Sequence, residues 1–117
     1  MTSNTIAVIP FVNRSPDPDN EYFCDGITEE IINALARIEQ LKVTSRTSSF
    51  QFKGQAMAVK DIAQQLGVEV ILEGSIRLSG RKVRIMAQLV QAGEDFHFWS
   101  ETWARQLSNW RSTWVQK

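Results

Sequence analysis

The chain has 117 residues, 43% of them hydrophobic and 22% charged, with six Gly and three Pro. This length suits one domain with a core large enough to fold alone, and the composition excludes a disordered or low-complexity chain. Thirteen basic residues balance thirteen acidic ones, so no whole-domain attraction to nucleic acid or anionic lipid is indicated, although a local patch is compatible with it.

Residues 5–12, TIAVIPFV, are apolar and β-branched nearly throughout, which predicts a strand buried on both faces. The stretch before them is polar and does not read as a signal peptide, and no apolar run approaches the ~20 residues that span a bilayer. Two prolines and several turn formers make NRSPDPDNEY a loop. A helix is predicted over CDGITEEIINALARIEQL. Ile27, Ile31, Ala34, Leu35 and Ile38 form its apolar stripe, and Glu29, Glu30, Asn33 and Arg37 take the other face. Asp25 is the expected N-cap.

LKVTSR reads as a short strand, and SRTSSFQFKG follows it. With four hydroxyls, Arg46, Lys53 and Gly54, this stretch has the composition of an anion-binding loop, centred on Arg46, Thr47, Ser48, Ser49 and Lys53 near the start of the next helix. It equally has the composition of a strand-to-helix connector whose hydroxyls satisfy backbone groups. Phe50 and Phe52 look like apolar pegs, which favours the connector. A second helix fits AVKDIAQQLG, with Val59, Ile62, Ala63 and Leu66 inward and Gly67 as C-cap. VEVILEGSIRL and RKVRIMAQLVQ are two strands joined at Ser79-Gly80, with Val83, Ile85, Ala87 and Leu89 on one face. A turn at residues 93–95 leads into a last strand, FHFWSET. The order β-α-β-α-β-β-β predicts an α/β single domain, a mixed five-stranded sheet with two main helices.

In the tail, Trp103, Leu107, Trp110 and Trp114 are spaced four, three and four, an a/d stripe on a C-terminal helix starting near Ser108. So much aromatic area must dock, either on the domain's own sheet or on a partner. The start of a strand pattern near Met1 and the end at Lys117 within a helical pattern suggest a piece of a longer chain, with residues 1–107 the domain and 108–117 the start of a linker helix.

Catalytic candidates are few. Cys24 and His97 are each the sole residue of their type, so neither a disulfide nor a His or Cys metal cluster is available. His97 reads as a half-buried strand residue and Cys24 as a small packing residue rather than a nucleophile at a helix start. Asp17, Asp19 and Glu21 alternate as in a calcium loop, but Tyr22 and Thr28 stand where its glycine and final glutamate belong. No phosphate-binding or nucleophile-elbow motif is present. Gly74, within a strand, is expected to admit a close side chain from a helix. Arg77, Arg81, Lys82 and Arg84 cluster at the hairpin, where charges that discourage edge pairing are the commoner reason than nucleic-acid contact.

Taken together, EYFCDGITEEIINALARI, TSRTSSFQFKG, IAQQLGVEVILEGSIR, VRIMAQLVQA and HFWSE resemble the TolB amino-terminal-like domain of bacterial multidomain signalling proteins, in order over residues ~6–107. Its D-G-I-T-E segment falls on residues 25–29, its R-T-S-S-F on 46–50 and its L-E-G-S on 72–75. The departures are Ala58, where the family usually offers a polar N-cap, Cys24, where it usually has alanine, and the tail, where Trp110 and Trp114 are unusual in detail. The resemblance implies an anticodon-binding-like fold, no cofactor and no catalytic activity of the domain itself. It further implies a parent with a nucleotide cyclase or winged-helix output module, tetratricopeptide repeats and commonly a membrane helix. Expected partners are neighbouring domains of that parent or another protein, with a homodimer as one form, and neither nucleic acid nor membrane is contacted directly. The implied site is bacterial, with the periplasmic side of a membrane-anchored parent preferred over the cytoplasm.

Overall fold

Pro10 is the first residue to shape the architecture, because it has no N–H to give to a sheet. In the computed structural model, which describes residues 4–93 and 96–106, the expected strand over 5–12 is split. β1 spans Thr5–Val8 and β2 spans Val12–Asn13, both parallel to β4 (Val70–Ser79), with Ile6 opposite Val70 and Val12 opposite Ser75. The sheet therefore has six strands among the described residues, one more than the sequence suggests. They run β3-β1-β4-β5-β6, with β2 beside β4.

A 3₁₀ turn, Pro18–Asn20, is capped by Asp17, whose Oδ1 accepts from the Asp19 N–H at 2.9 Å. It leads into helix α1, Glu21–Ala36. Asp25 thus lies a full turn inside the helix instead of capping it. The proline-bearing turn supplies a rigid entry upstream, and the N-cap position falls on Asn20, which makes no side-chain cap bond. The C-terminus is likewise earlier than the apolar spacing implies, and Ile38 lies beyond it, 44% exposed.

β3 is only Lys42–Val43, parallel to β1. The following segment contains a short helix, α2 (Arg46–Phe50), and then α3 (Val59–Leu66) returns the chain to β4. Ala58 precedes α3 without a side-chain cap bond, and Gly67 ends it at φ 70, the left-handed conformation that glycine adopts freely.

From β1 to β3 the chain steps one way along the sheet, and from β3 to β4 it steps back. Crossovers of one hand then place α1 and α3 on opposite faces. Two cores result. Under α1 lie Ile6, Val8, Phe11, Cys24, Ile27, Ile32, Ile76 and Ile85, among others, and under α3 lie Ala7, Phe52, Ile62, Ala63, Ile71 and Ala92.

β4 and β5 (Lys82–Gln91) form a hairpin with Ser79 opposite Lys82 and Gly80 at φ 61 in the two-residue connection. Val83, Ile85 and Ala87 are buried and Leu89 packs against the same core, as their alternation predicts. Val90, of opposite parity, is also buried and pairs with Ile71 at the end of the sheet that α3 covers.

β6, Phe96–Gln106, is antiparallel to β5 and longer than expected, with a register shift opposite Leu89/Val90. Trp103 therefore sits on a strand, opposite Ile85, and does not begin a helical stripe. Strand pairing to β5 over the whole hairpin length overrides the helical spacing there. Leu107, Trp110, Trp114 and the expected helix near Ser108 lie outside the described residues.

Gly74 is in the middle of β4, and a methyl there would overlap the Met86 carbonyl oxygen and lie 2.8 Å from Phe11 Cε2. The close neighbours are β5 and the residue after Pro10, not a helix as the sequence suggested. Phe11, 2% exposed, packs over Gly74 from the interruption between β1 and β2.

Candidate functional site

The richest concentration of polar side chains is the seam between α1 and α2. Glu21, Asp25 and Glu29 are spaced by four, so they form one row along α1. Such a row of like charges is unfavourable in an isolated helix. It is met by two cations from the α2 region. Arg46 Nε lies 2.7 Å from Glu29 Oε2, and Lys53 Nζ lies 3.0 Å from Glu21 Oε2 and 2.5 Å from Asp25 Oδ2.

The Arg46 guanidinium also covers the Phe50 ring, 4.1 Å from its centroid. A hydrogen bond from Lys53 holds the Glu21 carboxyl below its usual range, and the bond to Asp25 raises Lys53 above its own. These pairs are partly exposed, so each is worth only ~0–1 kcal/mol, and they tie Arg46 of α2 and Lys53 beyond it to the acidic row of α1.

The five residues named for an anion loop are thus placed within one short element and its exit. Ser45 Oγ caps α2 by accepting from the Ser48 N–H at 3.3 Å. Thr47 is exposed, Ser48 half-buried and Ser49 fully buried. Arg46 and Lys53 both engage carboxylates of α1. Phe50 packs toward the core under α1 while Phe52 is buried in the core under α3, so the two pegs enter opposite sides of the sheet. Ser49 Oγ and Asp25 Oδ1 are buried without a hydrogen-bond partner among the described residues.

The sequence reading missed the carboxylate row, since it placed Glu29 on a solvent face. Its signal was present: acids at 21, 25 and 29, with cations at 46 and 53 downstream.

A second arrangement joins the same helix to the break after Pro10. Thr28, fully buried, accepts the Phe11 N–H at Oγ1 (3.0 Å) and donates to the Cys24 carbonyl (3.0 Å). This bond serves an N–H that has no ladder partner where the strand is interrupted.

Cys24 is fully buried, and burial pushes its thiol up to about 11, with Glu21 and Asp25 adding to the shift. A thiol so held is a packing group and a poor nucleophile at neutral pH. His97 is on β6 opposite Val90. Asp17 serves its 3₁₀ turn, and among the described residues no group of three or more His, Cys, Asp or Glu side chains is disposed to hold a metal ion.

The hairpin cations occupy a different place. Arg77 is directly opposite Arg84, and Ser79 opposite Lys82, on the face bearing Ile71 and α3. α3 covers only the Ile71 end of that face, and all four cations of the hairpin are exposed. β5 is flanked on both sides, by β4 and β6, so protection of a sheet edge, the reason suggested by the sequence, does not account for Lys82 and Arg84, whereas Arg77 lies beyond the last β4 residue paired with β2.

Known proteins share this fold and part of its sequence. A relative from Rhizobium meliloti (strain 1021), named "Putative adenylate cyclase 3", is 42% identical over 105 residues, covering 90% of this chain and 18% of the relative. The chain therefore spans less than a fifth of that protein's length. Among solved structures, lipoprotein GNA1162 from Neisseria meningitidis superposes with a TM-score of 0.73 at 19% identity, covering 97% of this chain and 94% of the other. The C-terminal domain of LpoB from Salmonella enterica gives 0.71 at 19% identity, covering 91% and 85%.

TolB from Acinetobacter baumannii gives 0.63 at 14% identity, covering 99% of this chain and 26% of that one. The TolB-like fold expected from the sequence segments is therefore present, and at these identities the likeness concerns the fold alone. The family model for the second domain of HilA/YgeH-like transcriptional regulators matches residues 2–117, and the chain belongs to that family.

Proposed function

We propose that this chain is a non-catalytic protein-interaction module of a larger bacterial signalling protein, whose output is nucleotide cyclisation or transcriptional regulation. The observation that carries this reading is the 42% identity to a small part, 18%, of a protein named as a cyclase. The family itself is described as one domain of a regulator. The site supports it too. The polar side chains of the α1–α2 seam are engaged with one another, as befits a scaffold, and do not surround an open reaction centre. In this reading the domain transmits the occupancy of a partner surface to its output module through differential contacts. Tetratricopeptide repeats and a membrane helix in the parent are part of the same proposal.

The test is to produce the 117-residue chain and the remainder of its parent as separate polypeptides and to mix them in size-exclusion and calorimetric experiments. Association is expected, together with altered output activity when the domain is deleted. No association, with output unchanged by the deletion, would refute the module.

The alternative, an anion site on Arg46, Thr47, Ser48, Ser49 and Lys53, is disfavoured by the ion pairs that Arg46 and Lys53 already make. An increase in melting temperature with millimolar phosphate or nucleotide would restore it.

A further inference from the structure

The face of β4 and β5 beyond α3 is not accounted for by the fold or by the α1–α2 seam. Its exposed residues are Val12 at 51% and Met86 at 42%, followed toward the hairpin by Arg77, Arg84, Lys82 and Arg81. Val12 pairs with Ser75, and Ser75 with Met86, so the two apolar side chains share this face across β4. Arg77 opposite Arg84 is a like-charge cross-strand pair, which is unfavourable for the sheet. Among the described residues none of the four cations has an ion pair, since all three such pairs lie at the α1–α2 seam. Glu73, the acid on the same face of β4, is engaged by Gln88 Nε2 at 2.8 Å.

We propose that this face docks an acidic protein segment, with Met86 and Val12 taking its apolar centre and the Arg77–Arg84 pair its carboxylates. The inference rests on the interaction-module reading and names the surface that would carry it. Two features select this occupant. Two guanidinium groups side by side suit carboxylates, which bind them bidentately and relieve their repulsion. Arg and Met are the residue types enriched in protein interfaces, and here they adjoin.

Nucleic acid is the poorer match, because among the described residues the tryptophans that could stack bases are on the other face. Trp99 pairs with Leu89 and Trp103 with Ile85, both on the α1 side. The chain also has no net charge to attract a polyanion.

The probe is a fluorescent peptide of repeating Glu-Glu-Leu-Leu, with its Gln-Gln-Leu-Leu counterpart and a mixed-sequence DNA duplex as comparisons, titrated against the 117-residue chain. The acidic peptide is expected to bind best and more weakly as salt rises. The double variant Arg77→Glu/Arg84→Glu should weaken it at least ~10-fold, and Met86→Ala should weaken it by a smaller factor. The single variant Arg77→Glu replaces repulsion by attraction across the strands, so it should melt no lower than the wild type while binding the acidic peptide more weakly, which separates lost binding from lost folding. Equal binding by wild type and double variant, no binding by wild type, or tighter binding of the duplex would each overturn the proposal. If the rest of the parent associates with the domain and the double variant does not weaken that association, this face is refuted while the module reading stands.

Discussion

Thr28→Val isolates the bond that holds the interrupted strand. The substitution keeps the β-branched shape and removes both hydrogen bonds of the hydroxyl. Of these, the one to the Cys24 carbonyl is a helical back-bond and contributes little. The one from the Phe11 N–H matters, because Phe11 is 2% exposed and its N–H would be left buried and unpaired. An orphaned buried donor costs about 1–3 kcal/mol, and for a domain of this size each kcal/mol lowers Tm by about 4 °C. Urea and thermal denaturation of Thr28→Val should therefore show a loss of about 1–3 kcal/mol, while Thr28→Ser, which keeps the hydroxyl, should retain most of the stability. A Thr28→Val variant within about 0.5 kcal/mol of wild type, the range of ordinary surface changes, would show that Phe11 does not depend on α1.

Three further outcomes follow from other parts of the molecule. Gly74→Ala should separate β4 from β5 locally and lower stability by about 1–3 kcal/mol, measured by denaturant midpoint, since the added methyl meets the backbone of Met86 and the Phe11 ring. Cys24 ionises near 9.0 when unfolded and near 11 when folded, so its contribution is intact below pH 9 and is lost as pH rises toward 11. Cys24→Ala should flatten the alkaline limb of the stability profile over that interval.

Glu21 has the opposite sign: its folded pKa is below 4.5, so its contribution is present above that value and lost as pH falls through the lower one. Lys53→Met should remove this acid-limb dependence in pH-resolved melting experiments, and an unchanged limb would disconnect Glu21 from Lys53.

The sequence made the elements legible where one physical rule acts alone. Alternation identified Val83, Ile85 and Ala87, and a glycine at a required positive φ identified the end of α3. It failed where two rules compete. Pro10 sits inside an otherwise perfect strand pattern, and only the partner β4 reveals how two half-strands share one neighbour. The helical spacing of Trp103 lost to pairing with β5, which local spacing does not encode. Asp25 had the chemistry of a cap, and its real partner, Lys53, is 28 residues away. In the candidate site each charged residue was visible, yet which charge meets which depends on the crossover that brings the segment holding Arg46 and Lys53 to the acidic row of α1.

The two phenylalanines of the 46–52 segment bear on how the molecule comes apart. A sheet one layer thick separates the two cores, and separate cores are free to melt in separate steps. Phe50 belongs to one and Phe52 to the other, so detachment of this single turn withdraws a ring from both at once. The segment thereby links the two halves into one cooperative unit, and thermal unfolding of the chain is expected to be a single transition whichever face is probed.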